Sequence, residues 1–290
     1  MTAALYALRA GKTVLVIEKS TFGGQITWSP KVENYPAIPS ISGTELGDRL
    51  MAQAEAQGAE FELDEVVSVE LDGDVKRVKT DFGGEFGAKA LIIAVGAKPR
   101  MLGLERETEL VGNGVCFCAV CDGAFYKNRP VAVSGGGNSA LQDAVLLSDT
   151  CSKVYLVHRR ATFRGEAKLV EVLRNKTNVE FVLESSITAL HGESGLSGVT
   201  VTDKNGESRV IPVDGLFVAI GHAPDNGVFA QIMKLDEAGY AASGESCLTK
   251  TQGVFVAGDC RRKAVRQLTT AVADGSAAAL AACSYIDNMS

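Results

Sequence analysis

Val131-Ala132-Val133-Ser134-Gly135-Gly136-Gly137-Asn138-Ser139-Ala140 reads as a short apolar strand that runs into glycines and opens a helix. The helix is expected to reach Leu146, and residues 154–157 follow as a second apolar strand ending in His158-Arg159-Arg160. Strand, glycine turn, helix and strand are the parts of a nucleotide-binding βαβ unit. Gly135, Gly137 and Ala140 fit the G-x-G-x-x-A spacing. Small residues there let the backbone approach a pyrophosphate, whose charge sits at the helix N-terminus opened by Asn138 and Ser139. About twenty residues after the glycines, where an NAD site carries an acid for the ribose hydroxyl, this chain carries Arg159 and Arg160. A guanidinium fork favours a 2'-phosphate through paired charge-assisted hydrogen bonds, so NADPH is the expected ligand, with His158 alongside and Arg164 assisting. The bland alternative is a solvated basic strand end.

A second, incomplete unit lies upstream. The first ten residues hold Ala3, Ala4, Ala7 and Leu8 at helical spacing and end at Gly11, a C-terminal cap. Residues 13–17, TVLVI, then read as a strand buried on both faces of a parallel sheet, with Glu18 immediately after it. Glu18 occupies the position that the arginines hold in the other unit and suits an unphosphorylated ribose such as that of FAD. The bland reading is a surface glutamate. Residues 91–96 (LIIAVG) and 216–221 (LFVAIG) are paired apolar runs ending in glycine, Gly96 closing the first at a ligand-facing turn. Residues 254–259 (VFVAGD) form another buried strand, and an Ala-rich helix spans 267–285. This order predicts an α/β chain of two Rossmann-like three-layer nucleotide-binding domains, one inserted into the other: 1–99 and 229–290 for FAD, 100–228 for NADPH.

The 290 residues are 46% apolar and 22% charged, near the averages of globular proteins, which excludes a peptide module and general disorder. A formal charge of -6 argues against general affinity for nucleic acid or anionic membranes. No apolar run nears the ~20 residues of a membrane span and no secretory signal opens the chain, so a cytoplasmic protein is expected.

Seven cysteines are too few for a disulfide scaffold. Cys151, Cys247, Cys260 and Cys283 are scattered and read as small buried apolar side chains; Cys116, Cys118 and Cys121 cluster. Cys118-Ala119-Val120-Cys121 is a C-x-x-C, a spacing that lets two thiols close a disulfide and lowers thiol pKa to about 7 or below. The competing reading is half of a zinc site with Cys116 as third ligand. Against it, there is no second C-x-x-C, and His158, His191 and His222 lie far off in sequence.

Taken together, Gly23-Gly24-Gln25, Val32-Glu33-Asn34-Tyr35-Pro36, Ala94-Val95-Gly96-Ala97, Cys118-Ala119-Val120-Cys121-Asp122-Gly123, the glycine run, His158-Arg159-Arg160, Gly258-Asp259 and Arg266-Gln267 resemble the low-molecular-weight thioredoxin reductases, over the whole chain and in their order. The resemblance implies FAD and NADPH as cofactors, a homodimer with a large rotation between domains, and a redox-active disulfide of Cys118 and Cys121 serving thioredoxin or a similar small dithiol protein. It assigns Cys121 to face the flavin, Cys118 to attack the partner, and Asp122 to donate and accept the proton. It places Gly23, Gly24, Gln25, Asn34 and Gly96 around FAD, Asp259 at its ribityl and phosphate region, and Arg266 and Gln267 near the isoalloxazine. Trp28 reads equally as core or flavin neighbour, and Arg261-Arg262-Lys263 as a solvated charge run. Other readings are delivery to a peroxiredoxin-type module, a ferredoxin donor, which the arginines oppose, or a nucleotide-binding protein without flavin.

The family pattern begins with a strand and a G-x-G-x-x-G loop that this sequence lacks. Such a strand is central, and its loss leaves backbone groups unsatisfied at about 1–3 kcal/mol each. The expectation is weak FAD binding, and a functional protein that extends upstream of Met1.

Overall fold

A computed structural model describes residues 1–289. Six α-helices are present among them: α1 Thr2–Arg9, α2 Gly43–Glu55, α3 Ala119–Asp122, α4 Asn138–Ser148, α5 Ala167–Arg174 and α6 Leu268–Asp287. The chain divides into two units, Met1–Lys98 with Ala223–Ser290, and Pro99–His222. No helix among the described residues is long and apolar enough to cross a membrane.

The Pro99–His222 unit is built on a five-stranded parallel sheet in the order Val179–Leu183, Lys153–His158, Pro130–Ser134, Gly215–Val218, Val115–Cys116. Its strands are apolar on both sides because both sides are covered. Val131 and Val133 face a core with Ala140, Leu141, Ala144 and Leu147 of α4. Ala132, Leu216 and Val218 face the opposite core, with Val199 and Val201. Those last two belong to an antiparallel sheet of Ser185–His191, Gly198–Asp203 and Ser208–Ile211, which makes the third layer. Each fully buried valine or leucine contributes about 1.5–3 kcal/mol. The chain leaves the middle strand Pro130–Ser134 where strand order reverses, which is where parallel sheets of this kind open a ligand crevice.

In the discontinuous unit, Leu15–Glu18 pairs in parallel with Glu60–Leu63, and Leu91–Ile93 with Val254–Val256. These are separate two-stranded ladders among the described residues. The first strand therefore differs from the sequence expectation. It starts at Leu15, and all four residues are half-buried rather than enclosed, because the strand has a single ladder partner. An antiparallel sheet of Val66–Asp72, Val75–Thr80 and Glu85–Ala88 also belongs to this unit. Small residues let α1 lie close on α6: Ala7 packs with Ala279 and Cys283. Gln267 caps α6 through a reciprocal capping box with Thr270, which satisfies first-turn N–H groups that would otherwise be orphaned.

Together these elements make an α/β chain of two Rossmann-like units, the second inserted into the first.

Candidate active site

Helix α3 is a single turn, and Cys118 stands at its N-cap with Sγ accepting from the Cys121 N–H at 3.2 Å. Cys118 and Cys121 form a disulfide. The exposed Val120 lies between them, 62% accessible, while Ala119 is buried and anchors the turn. Asp122 ends α3, and burial pushes its carboxyl up to about 6. A carboxyl in that range exchanges its proton near neutral pH, as a general acid and base must. Cys116, the third member of the sequence cluster, is buried and shares a 3.3 Å contact with the Tyr126 hydroxyl; burial pushes its thiol up to about 12. It behaves as an inert core thiol. The remaining free cysteines are also buried. Among the described residues no three His, Cys, Asp or Glu side chains gather to hold a metal ion.

Helix α3 packs against α4, the helix that follows the glycine loop. Sequence reasoning passed over Asp143 there. Burial pushes its carboxyl up to about 6, against a hydrogen bond with the Ala119 backbone at the start of α3. An acid on the inward face of a helix next to the C-x-x-C was the available signal, but no motif marks it.

At the nucleotide loop, a Cβ on Gly135 would meet the Ala219 carbonyl at 2.5 Å and the Ala140 methyl at 2.7 Å, whereas one on Gly137 would meet nothing within 4 Å. The first glycine is thus required by packing, and the last leaves the N-terminus of α4, which has no side-chain cap, open to an anion. Ser139 is exposed there. Asn138 is instead held by Glu166, accepting from its N–H at 2.7 Å and donating to its carboxylate at 3.1 Å. The backbone N–H of Arg164 donates to the Gly136 carbonyl at 2.8 Å, bringing that arginine back over the loop. Arg159 and Arg160 are exposed beyond the strand end. His158 is buried, stacked on Phe163 with ring centroids 5.2 Å apart, and its Nε2 lies 3.2 Å from the Thr162 carbonyl. Burial lowers its pKa, and the neighbouring arginines add to the effect. His158 therefore supports the loop from below. The fit to a phosphorylated dinucleotide rests on the open helix end and the three arginines.

In the other unit the predicted flavin residues fall into small linked groups. Gln25 Nε2 donates to the Ala97 carbonyl at 2.8 Å, next to Gly96. Asn34 Nδ2 lies 3.4 Å from Gln267 Oε1. Arg266 Nε lies 3.4 Å from the Asp259 carbonyl, and its guanidinium sits over the Tyr240 ring. Glu18 accepts from the N–H and hydroxyl of Ser20 at the carboxyl end of its strand. Gly23 packs on Gly47 of α2, and Gly24 turns away with open space above it. Asp259 is the telling residue. Its Oδ1 is buried with no hydrogen-bond partner among the described residues, and burial raises its pKa. A buried carboxylate oxygen suits a hydroxyl donor, and the sugar-alcohol chain of FAD offers several. Trp28 is half exposed and belongs to no core cluster. The run at 261–263 is not solvated as expected: Arg261 and Lys263 are buried on Asp274, and only Arg262 is exposed. Charge spacing alone does not reveal a buried acid on a distant helix.

Residues 1–275 match the family model described as pyridine nucleotide-disulphide oxidoreductase. The thioredoxin reductase of Bacillus subtilis (strain 168) is 38% identical over 291 residues, covering 100% of this chain and 92% of that protein. A bifunctional thioredoxin reductase/thioredoxin of Mycobacterium leprae (strain TN) is 39% identical over 282 residues, covering 96% of this chain and 62% of that protein. The crystal structure of thioredoxin reductase from Streptococcus pyogenes MGAS5005 superposes with a TM-score of 0.93 at 35% identity, covering 99% of this chain and 94% of that one. With a family match across nearly its whole length and relatives well above 30% identity, the chain belongs to the pyridine nucleotide-disulphide oxidoreductases.

Proposed function

We propose that this chain is an NADPH-dependent, FAD-containing reductase of thioredoxin or a closely similar small dithiol protein, acting as a homodimer in the cytoplasm. The observation that carries the reading is the Cys118–Cys121 disulfide on a one-turn helix, beside a carboxyl whose pKa burial raises to about 6. A redox dithiol needs a nearby group that can take and return a proton near neutral pH. The names of the relatives support thioredoxin as acceptor, and in the Mycobacterium leprae protein both activities share one name.

Glu18, Gly23, Gly24, Gln25, Asn34, Gly96, Asp259, Arg266 and Gln267 are the residues assigned to hold FAD; when bound, FAD supplies two-electron relay between a nicotinamide and a disulfide. Gly135, Gly137, Asn138, Ser139, His158, Arg159, Arg160 and Arg164 are assigned to NADPH. Asn138 and His158 act through the loop they brace rather than by touching the nucleotide.

In the reduced protein the Cys118 thiolate attacks one sulfur of the partner's disulfide. A mixed disulfide forms, and the released partner thiolate takes a proton for which Asp122 is the source. Asp122, now ionised, takes the proton of the Cys121 thiol. The Cys121 thiolate attacks Cys118 Sγ, the mixed disulfide breaks, and Asp122 returns that proton to the second partner sulfur, so that the partner leaves as a dithiol while Cys118–Cys121 closes. Exposed Val120 gives the partner an apolar contact beside the reacting sulfurs.

The test is spectroscopic and catalytic. The purified protein should carry flavin absorbance that NADPH bleaches, and it should consume NADPH when oxidised thioredoxin is added. A colourless protein that binds NADPH without oxidising it would leave only nucleotide binding.

A further inference from the structure

The Arg261 and Lys263 side chains are only 8% and 6% exposed, and both close on Asp274 of α6, itself 8% exposed. Arg261 grips the carboxylate with two prongs, Nη2 to Oδ1 at 2.6 Å and Nε to Oδ2 at 2.7 Å. Lys263 Nζ donates to Oδ2 at 2.8 Å. The fourth donor is a backbone group, the N–H of Gly258, at 2.9 Å from Oδ2. Burial alone would push the Asp274 carboxyl up, but the hydrogen bonds from Arg261 and Lys263 outweigh it and hold the pKa below its ordinary value.

Burying two cations and an acid is a poor way to gain stability, since well-packed apolar side chains do as well or better. Such a cluster is better suited to holding one conformation. Here it holds the single turn Gly258–Cys260. Asp274 fixes the amide that opens the turn and, through Arg261, the residue that follows it. Asp259 sits between these two ties, with its buried unpartnered Oδ1. Burial raises the pKa of Asp259 and the Asp274 charge adds to the rise, while Lys263 and Arg266 oppose it only in part.

We propose that Asp274 is a positioning residue of the flavin site: by tying Gly258 and Arg261 to α6, it sets the turn that presents the Asp259 carboxylate to the hydroxyl chain of the cofactor. The inference rests on the reading of Asp259 as a flavin ligand.

The experiment compares the unsubstituted full chain with Asp274→Asn, each stripped of cofactor and titrated with FAD by the quenching of flavin fluorescence. Asp274→Asn is expected to raise the FAD Kd at least tenfold, while its NADP+ affinity stays within twofold and its far-ultraviolet circular dichroism is unchanged. A purely structural role would lower the melting temperature equally with and without FAD and leave the Kd within twofold, which overturns the proposal. Should Asp274→Asn fail to fold, Arg261→Lys keeps the buried charge but gives up the two-pronged grip. A Kd raised at least threefold is then expected, and an unchanged Kd overturns it. An unsubstituted chain that takes up no FAD overturns the flavin reading itself, a result distinct from wild-type and Asp274→Asn chains that bind FAD equally.

Discussion

The backbone N–H of Cys121 points at Cys118 Sγ across 3.2 Å. That bond places Cys118 at the head of the turn and Cys121 within it, so the two sulfurs are inequivalent. On reduction this N–H favours the thiolate of Cys118. In Cys121→Ser the remaining Cys118 thiol should react with iodoacetamide at neutral pH several-fold faster than the remaining Cys121 thiol does in Cys118→Ser. Cys118→Ser should leave a slower thiol and abolish turnover with thioredoxin while NADPH still bleaches the flavin. Equal alkylation profiles for the two variants would remove the inequivalence.

Asp122 links activity to stability with opposite signs. Its carboxyl is raised by burial to about 6 in the folded protein and titrates near 3.9 in an unfolded chain. Between those values the native state binds more protons, so stability falls as pH rises through that window, and the loss is complete above it. Asp122→Asn should therefore leave chemical denaturation unchanged near pH 4. Above about pH 6 it should stabilise by up to about 3 kcal/mol, because each pH unit between the folded and unfolded titrations is worth about 1.4 kcal/mol. Turnover should fall about 10²–10⁴-fold, the usual contribution of a placed acid or base. A gain in stability that is the same at every pH would show that packing, not charge, is responsible.

Much of this was legible from residues 131–160, because a buried parallel strand, a glycine turn and a helix each leave a local pattern. The sheet through Pro130–Ser134 and α4 follow that pattern closely. Long-range pairing leaves no such trace. Asp274 lies 13 positions beyond Arg261, and its burial with two cations depends on how α6 docks. Likewise, His158 reads as a nucleotide contact beside two arginines. Only the packing of its ring on Gly136 and Phe163 shows it bracing the loop. The half-burial of Leu15–Glu18 was also hidden, since a strand's own residues do not say how many neighbours it has.

Arg159 and Arg160 are exposed at the end of the strand Lys153–His158; if they hold the 2'-phosphate of NADPH as proposed, each guanidinium gains far more from that phosphate than from a 2'-hydroxyl. Hydrogen bonds to charged groups are worth about 1.5–3 kcal/mol, so each arginine should carry at least about tenfold of the preference. Replacing both with alanine should narrow the ratio of kcat/KM for NADPH over NADH by about a hundredfold or more, mostly through a higher KM for NADPH. Selectivity that survives the double substitution would locate the 2'-phosphate elsewhere.

The glycine loop offers the sharpest structural test. A Cβ on Gly136 would stand 2.1–2.5 Å from three atoms of the His158 ring. The ring cannot readily yield, being 6% exposed, stacked on Phe163 and placed against the Thr162 carbonyl. The loop cannot shift alone either, because the Gly136 carbonyl accepts from the N–H of both Arg164 and Gly165. Gly136→Ala should therefore destabilise by about 1–3 kcal/mol, the range for overpacking, and raise the KM for NADPH by displacing Arg164. Adding His158→Ala opens room for the new methyl group, so the double variant should be less destabilised than the sum of the two single ones. Gly137→Ala, with nothing within 4 Å of its Cβ, should leave the denaturation midpoint nearly unchanged while weakening NADPH binding at the open end of α4. Equal destabilisation by Gly136→Ala and Gly137→Ala would mean that the ring of His158 does not set the shape of the loop.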